Sequence, residues 1–462
     1  MSRQAALAAS RDYFDGGDFA RDLAQLVAIP TESLIPERRG DLRRYLELTE
    51  GDWLRPLGFE CRILDNPLPG EPPLLVGRRI EKPGLPTVLV YGHGDVVVGH
   101  EGRWEKNRDP WTLDIDGNRW YGRGVADNKG QHHINLAALR AVLKARETLG
   151  YNVTVLIETG EEVGSAGFDE FCATHKDMLA ADVLIASDGP RLDAGHPTVF
   201  LGARGVINFR LSIDLRDGGH HSGNWGGLLR DPGIRLAHAI AAITGPMGEI
   251  RVPEWRPTSL TDTVRDVLAK IDVAPDTNGP EIDPDWGEPG LTPREKVLGW
   301  NSFAVLAMTA GDPEQPVNAI APKARAHCQL RFVVGTDPDD ILPALRRHLD
   351  ARGFGDVAVS GPEDGMFNAT RTSLDSPWVD LVMGSIRETT GKTAHLVPNL
   401  GGSLPNETFT ETLGLSTVWV PHSYPGCSQH APNEHGWGPA MREGLEIMTG
   451  VFWDIGERDA TA

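Results

Sequence analysis

Three short apolar runs, each closing on histidine or acidic residues, constrain this chain more than any other feature. Thr87-Val88-Leu89-Val90-Tyr91 leads into Gly92-His93-Gly94-Asp95. Asn152-Val153-Thr154-Val155-Leu156-Ile157 leads into Glu158-Thr159-Gly160-Glu161-Glu162, and Asp182-Val183-Leu184-Ile185-Ala186 into Ser187-Asp188-Gly189-Pro190. Runs so rich in β-branched side chains read as strands buried on both faces, the texture of a mostly parallel sheet. Ligands of such sheets bind beyond the carboxyl ends of the strands. The three runs therefore deliver His93, Asp95, Glu161, Glu162 and Asp188 to one place.

Between the first two runs, His133 to Leu149 places Ile134, Ala137, Ala138, Ala141, Val142 and Ala145 at helical spacing. From Gly205 the texture changes. Val206 to Leu215 and Ala324 to Val333 alternate apolar and polar residues, as half-exposed antiparallel strands do. Val252 to Trp300 is dense in Pro, Asp, Gly and Trp and reads as a long irregular excursion. After Thr372 the first texture returns, with Trp378 to Glu388 helical and Ser416 to Val420 a strand. The expected organisation is an α/β fold: a mostly parallel-sheet domain over 1–203, an inserted α+β domain over 204–372, and the rest of the first domain over 373–462. At 462 residues the chain is long enough for that division.

Charge narrows the partners. Forty-five Lys and Arg against 65 Asp and Glu leave a net charge of -20, which disfavours nucleic acid and anionic membrane and suits small molecules. Cys61, Cys172, Cys328 and Cys427 show no C-x-x-C spacing, so a reducing cytoplasm is the expected setting. Met1 to Asp22 has no continuous apolar core, and no long uncharged apolar run follows, so neither export nor membrane anchoring is expected.

Two further metal-capable residues join the cluster. Asp127 lies in Tyr121-Gly122-Arg123-Gly124-Val125-Ala126-Asp127-Asn128-Lys129-Gly130, a Gly-flanked turn that leads into the helix. His430 lies in Gln429-His430-Ala431-Pro432-Asn433-Glu434, past the Ser416 strand. Taken alone, His93 fits a turn histidine, Asp127 a helix cap, Glu161-Glu162 an exposed acidic turn and Asp188 a turn residue. His422 rivals His430, while His132 and His133, at the helix start, read as structural or solvent-facing. Together the carboxylates repel one another unless cations sit among them, and two divalent ions would relieve that. Nitrogen and carboxylate donors suit Zn, Mn or Co; zinc is the first expectation.

These blocks resemble the M20 family of dinuclear metallopeptidases over most of the chain. Asp109-Pro110-Trp111-Thr112-Leu113, with Tyr121 to Gly124 and Asp127 to Gly130, is most similar to its carnosinase-like dipeptidase branch. The resemblance implies a zinc-peptidase-like catalytic domain with an inserted lid. It implies that Asp127 bridges two metals, with His93 and Asp188 on one and Glu162 and His430 on the other. It makes Glu161 the general base and then acid, and Asp95 the partner that holds the His93 ring.

In the lid, His221 of Gly219-His220-His221-Ser222-Gly223 resembles a histidine that reaches a neighbouring subunit's site to stabilise an oxyanion. Its neighbour His220 is the competitor; Ser222-Gly223 directly after His221 favours the latter. Asn318, Arg331 and Ser403 match substrate contacts, the Arg clamping a terminal carboxylate. Ala321 before Pro322, and Leu400 before Gly401-Gly402, depart from the family pattern near the substrate.

The expected activity is metal-dependent cleavage of an amide bond in a small carboxylate-bearing substrate, a dipeptide or short peptide, by a homodimer. An N-acyl or N-carbamoyl amino acid amidohydrolase is the alternative. A non-catalytic binding protein is a remote one, since its signature would be a lost base or ligand, and Glu161 and all five donors are present.

Overall fold

In the computed structural model, which describes residues 2–271 and 281–458, the three apolar runs are adjacent strands. Thr87–His93 pairs in parallel with Asn152–Glu158 on one side and Val183–Ala186 on the other. They lie inside an eight-stranded sheet. Its order is Glu60–Leu64, Leu74–Arg79, Asn152–Glu158, Thr87–His93, Val183–Ala186, Ser416–Trp419, Thr198–Phe200 and His395–Val397. Four of its pairings are parallel; the first two and that of Ser416–Trp419 with Thr198–Phe200 are antiparallel.

Alternation along each strand splits the sheet between two cores. Val88, Val90, Val153, Val155 and Ile185 face one cluster, which contains the helices Arg3–Asp15, Asp18–Val27, Lys129–Arg146 and Gly438–Glu457. Leu89, Tyr91, Leu156, Leu184 and Trp419 face the other, with Phe168, Phe171 and Phe409. Full burial of each such side chain stabilises by about 1.5–3 kcal/mol. A register slip would exchange the two faces of every strand.

The second texture forms a separate sheet in the order Ser302–Thr309, Lys323–Phe332, Gly205–Asp214 and Ala358–Phe367, antiparallel throughout. Gly205–Asp214 alternates buried and half-buried residues along almost its whole length. Its inner face packs on the helices Pro232–Ile243 and Ile341–Ala351 in a third core.

Two expectations need correction. The helix expected from His133 runs Lys129–Arg146, starting four residues earlier, because polar Gln131, His132 and His133 are buried rather than solvated. The Val252 to Trp300 stretch is not wholly irregular. It carries helices Asp262–Ala269 and Pro293–Leu298, the second opened by a capping box in which Thr292 and Glu295 bond each other's backbone N–H. Its residues 272–280 lie outside the described residues. No helix among those described is long and apolar enough to cross a membrane.

Candidate metal centre

The donors arrive on separate elements at one end of the parallel strands. His93 closes its strand, and Asp95 follows two residues later, both buried. The flanking glycines let the strand end press against its neighbours: a Cβ on Gly92 would fall 2.3 Å from His132, and one on Gly94 2.3 Å from the Tyr45 ring. Glu161 and Glu162 share a single 3-10 turn, Glu161–Val163. Asp188 follows Val183–Ala186, Asp127 ends the turn before the Lys129–Arg146 helix, and His430 occupies a loop after Ser416–Trp419.

Asp127 is the centre of the arrangement. One carboxylate oxygen lies 3.0 Å from His93 Nε2 and the other 3.1 Å from His430 Nε2. His430 Nε2 is also 3.1 Å from Glu162 Oε2. His93 Nε2 stands 3.7 Å from Asp188 Oδ2 and 3.9 Å from Glu161 Oε2. His93, Asp127 and Glu162 offer ligand atoms that all lie within 4.8 Å of one another.

Asp95 meets the His93 ring mainly through its backbone. Nδ1 donates to the Asp95 carbonyl oxygen at 3.1 Å, with the carboxylate at 3.5 Å, which leaves Nε2 aimed at the cluster. The Asp95 carboxylate accepts the backbone N–H groups of Glu161 and Glu162 at 3.2 and 3.0 Å. It thus fixes the turn that presents both glutamates.

Electrostatically the cluster is short of positive charge. Burial, together with the charges of Asp188, Glu162 and Asp127, holds the Glu161 carboxyl well above its usual range even against His93. Burial likewise pushes Glu162 up to about 7 and Asp188 up to about 6. His430 is pushed up to about 10 by its bonds to Asp127 and Glu162. Protons are thus held where cations could take their place. Glu162 Oε1 and Asp188 Oδ2 are buried with no hydrogen-bond partner, as unused ligand atoms would be. Imidazole and carboxylate donors of this kind fit divalent transition ions.

The competing histidines are engaged elsewhere. His422 is buried, with Nε2 3.1 Å from Ser187 Oγ. His132 contacts the Tyr45 hydroxyl at 2.6 Å, and His133 the Tyr13 hydroxyl at 3.3 Å. Burial, with the charges of His93 and Lys129, lowers His132 to about 3. Both His132 and His133 are structural, not solvent-facing.

The remaining candidates sit away from this constellation. Arg331 Nη1 donates to Ser403 Oγ at 3.1 Å, and that hydroxyl donates to the Arg204 carbonyl at 2.7 Å. His221 is exposed, its Nδ1 accepting the Gly223 N–H at 3.1 Å; Asn318 is exposed too, its carbonyl accepting the Ser222 N–H at 2.9 Å. Among the described residues, no hydrogen bond or ion pair joins His221 or Asn318 to the donor cluster.

Sequence reasoning missed three supporting residues. Glu434 accepts the backbone N–H groups of Gly124, Ala126 and Asp127 at 3.0–3.1 Å and pairs with buried Arg123 at 2.6 Å, so it holds the turn that carries Asp127. Both lay inside quoted motifs, where an Arg between glycines and a Glu near His430 were the available signals. Arg204 is buried beside Arg331, its Nε without a partner. Burial and the Arg331 charge lower it to about 10; nothing local in the sequence distinguishes it.

The model of peptidase family M20/M25/M40 matches residues 89–454. A cysteinylglycine-S-conjugate dipeptidase of Corynebacterium striatum is 26% identical over 396 residues, spanning 83% of this chain and 82% of that protein. A Beta-Ala-His dipeptidase of Rattus norvegicus is 32% identical over 377 residues, spanning 74% of each. Among solved structures, human carnosine dipeptidase 1 superposes with a TM-score of 0.75 at 23% identity, covering 98% of this chain and 99% of that one. The Dug1p dipeptidase of Saccharomyces cerevisiae gives 0.76 at 20% identity, covering 99% and 100%. With the family pattern spanning most of its length and its donors converging on one centre, the chain belongs to peptidase family M20/M25/M40 and is a hydrolytic enzyme.

Proposed function

We propose that this enzyme is a dipeptidase that cleaves the single peptide bond of a small substrate with a free carboxylate, at a dinuclear centre of zinc ions. The observation that carries the reading is Asp127, whose two oxygens face two different histidines at 3.0 and 3.1 Å. In this reading Asp127 would be shared by the two ions, His93 and Asp188 would hold one, and Glu162 and His430 would hold the other. When bound, the ions supply Lewis acidity to the scissile carbonyl and make water more acidic.

The chain's own residues do the rest. Glu161 accepts a proton from the attacking water and returns it to the departing amide nitrogen, leaving a carboxylic acid and an amine that become carboxylate and ammonium as the acid proton passes on; such a group contributes about 10²- to 10⁴-fold. Arg331 and Ser403, with Arg204 adding charge behind them, bind the terminal carboxylate, and Asn318 contributes a further substrate contact. His221, supplied by a second copy of the chain, stabilises the oxyanion.

In this reading residues 204–372 form the inserted lid, and 1–203 with 373–462 the catalytic domain. A homodimer is supported by the edge strand Ser302–Thr309, whose Val305, Leu306 and Met308 are 40%, 57% and 42% exposed. Edges of that kind seek a partner. The charge and the four unpaired cysteines support a cytoplasmic setting.

The test is a panel of dipeptides against N-acetyl and N-carbamoyl amino acids, assayed with added Zn²⁺ or Mn²⁺. Turnover of dipeptides is expected; turnover of the acyl or carbamoyl compounds alone would make the enzyme an amidohydrolase instead. Light scattering should find a dimer, and a fully active monomer would overturn the part given to His221.

A further inference from the structure

A second group of donors lies outside the centre described above. The loop that leaves the sheet at Asp188 returns to it at Thr198, and on the way it carries Asp193 and His196 to His395, the first residue of His395–Val397. Their candidate ligand atoms all lie within 4.8 Å of one another. Asp193 Oδ1 is occupied: it accepts the backbone N–H groups of Gly195 and His196 at 2.7 and 2.9 Å and faces His196 Nδ1 at 3.2 Å. Its other oxygen is not. Asp193 Oδ2 and His395 Nε2 face each other at 3.4 Å, both buried and both without a hydrogen-bond partner. His395 is only 9% exposed, and these two atoms are themselves shielded from solvent.

That spacing is informative. An ion held tetrahedrally at bonds of about 2.0–2.1 Å sets neighbouring donors about 3.3–3.4 Å apart. A well-aligned hydrogen bond would draw them closer, and a shared cation would satisfy both atoms at this separation. Lys392 does not compete for the site, because its Nζ is committed to Glu443 at 2.6 Å and to the Gly195 carbonyl at 2.9 Å.

We propose that Asp193, His196 and His395 form a mononuclear site for a divalent transition ion of the zinc class, separate from the catalytic pair. Three protein ligands leave a fourth position, and a cavity of about 570 Å³ lined in part by His196, Lys392 and His395 gives solvent access to it. Bound there, the ion ties the 188–198 loop to the edge strand of the sheet.

The test is titration of the chelator-stripped full chain with Co²⁺ alone, counting bound ions per chain and following the visible absorption of tetrahedral cobalt. The His196→Ala variant, which alters an exposed side chain, and His395→Asn should each bind one ion fewer than wild type with peptidase turnover unchanged. Asp127→Ala should lose the catalytic ions and keep this one. Equal uptake by wild type and His196→Ala, or no cobalt on Asp127→Ala, would overturn the site. Retention of every ion by Asp127→Ala would count against the dinuclear reading alone.

Discussion

The two sheets of this molecule handle polar side chains in opposite ways. The three central strands of the eight-stranded sheet are buried on both faces, and their ends and the chain that follows them bring His93, Glu161, Glu162 and Asp188 together. In the four-stranded sheet one face stays wet, and polar residues spread along the strands. Arg331 there sits between Leu330 and Phe332 with nothing local to mark it. The first arrangement assembles a centre within one chain. The second presents groups that gain meaning from what lies across from them, as Arg331 does from Ser403.

The contrast makes graded predictions. The largest effect belongs to the buried centre: Glu161→Gln should lower kcat by about 10²- to 10⁴-fold while metal analysis finds the ions retained. Wild-type turnover in that variant would remove the proposed base. Next comes His221, on the short strand His220–His221 that pairs with Ala319–Ile320; His221→Ala should lower kcat by about 10²- to 10³-fold with KM little changed. Mixing it with inactive Glu161→Gln should restore activity, because each mixed dimer holds one site with both groups intact. Failure of the mixture to recover would place His221 in its own chain's chemistry.

Arg331→Ala should act chiefly on KM. Loss of a charge-assisted bond of about 1.5–3 kcal/mol corresponds to roughly 10- to 150-fold in kcat/KM, and a dipeptide amide lacking the terminal carboxylate should be insensitive to the change. Equal losses on both substrates would move Arg331 out of the carboxylate's reach.

The smallest effect concerns stability. Burial lowers Lys129 to about 7; its ammonium reaches the carbonyls of Leu26 and Ile29 at 3.1 and 2.7 Å. Between that value and the ordinary lysine range the unfolded chain binds the extra proton, so stability attributable to this group rises as pH climbs from about 7 to about 10. Burial raises Glu158 to about 7, which gives the opposite slope: its contribution is complete below the ordinary glutamate range and is lost as pH rises to about 7. Lys129→Met should flatten the upper limb of a Tm-against-pH profile by a few degrees. An unchanged upper limb would mean that the buried amine does not titrate there.

Much of this was legible in the sequence for one physical reason. Strands buried on both faces must be nearly all apolar, so Thr87–His93, Asn152–Glu158 and Val183–Ala186 announce themselves, and the residues that follow are constrained by topology. The helices in the Val252 to Trp300 stretch were less visible because they are short and flanked by proline, although Thr292 and Glu295 carried a capping signal. Arg204 was not legible, because what singles it out is burial beside a particular partner. Asp95 was read as holding a ring and is also the anchor of a turn, since only the folded backbone brings the N–H groups of Glu161 and Glu162 to its carboxylate.

The central claim is that Asp127 joins two cations into one catalytic centre. Elemental analysis of active protein beside Asp127→Ala, both in the His196→Ala background, tests it most directly. Two transition ions per active chain, with both ions and turnover lost on Asp127→Ala, is the predicted result; full turnover with less than one ion per chain would contradict it.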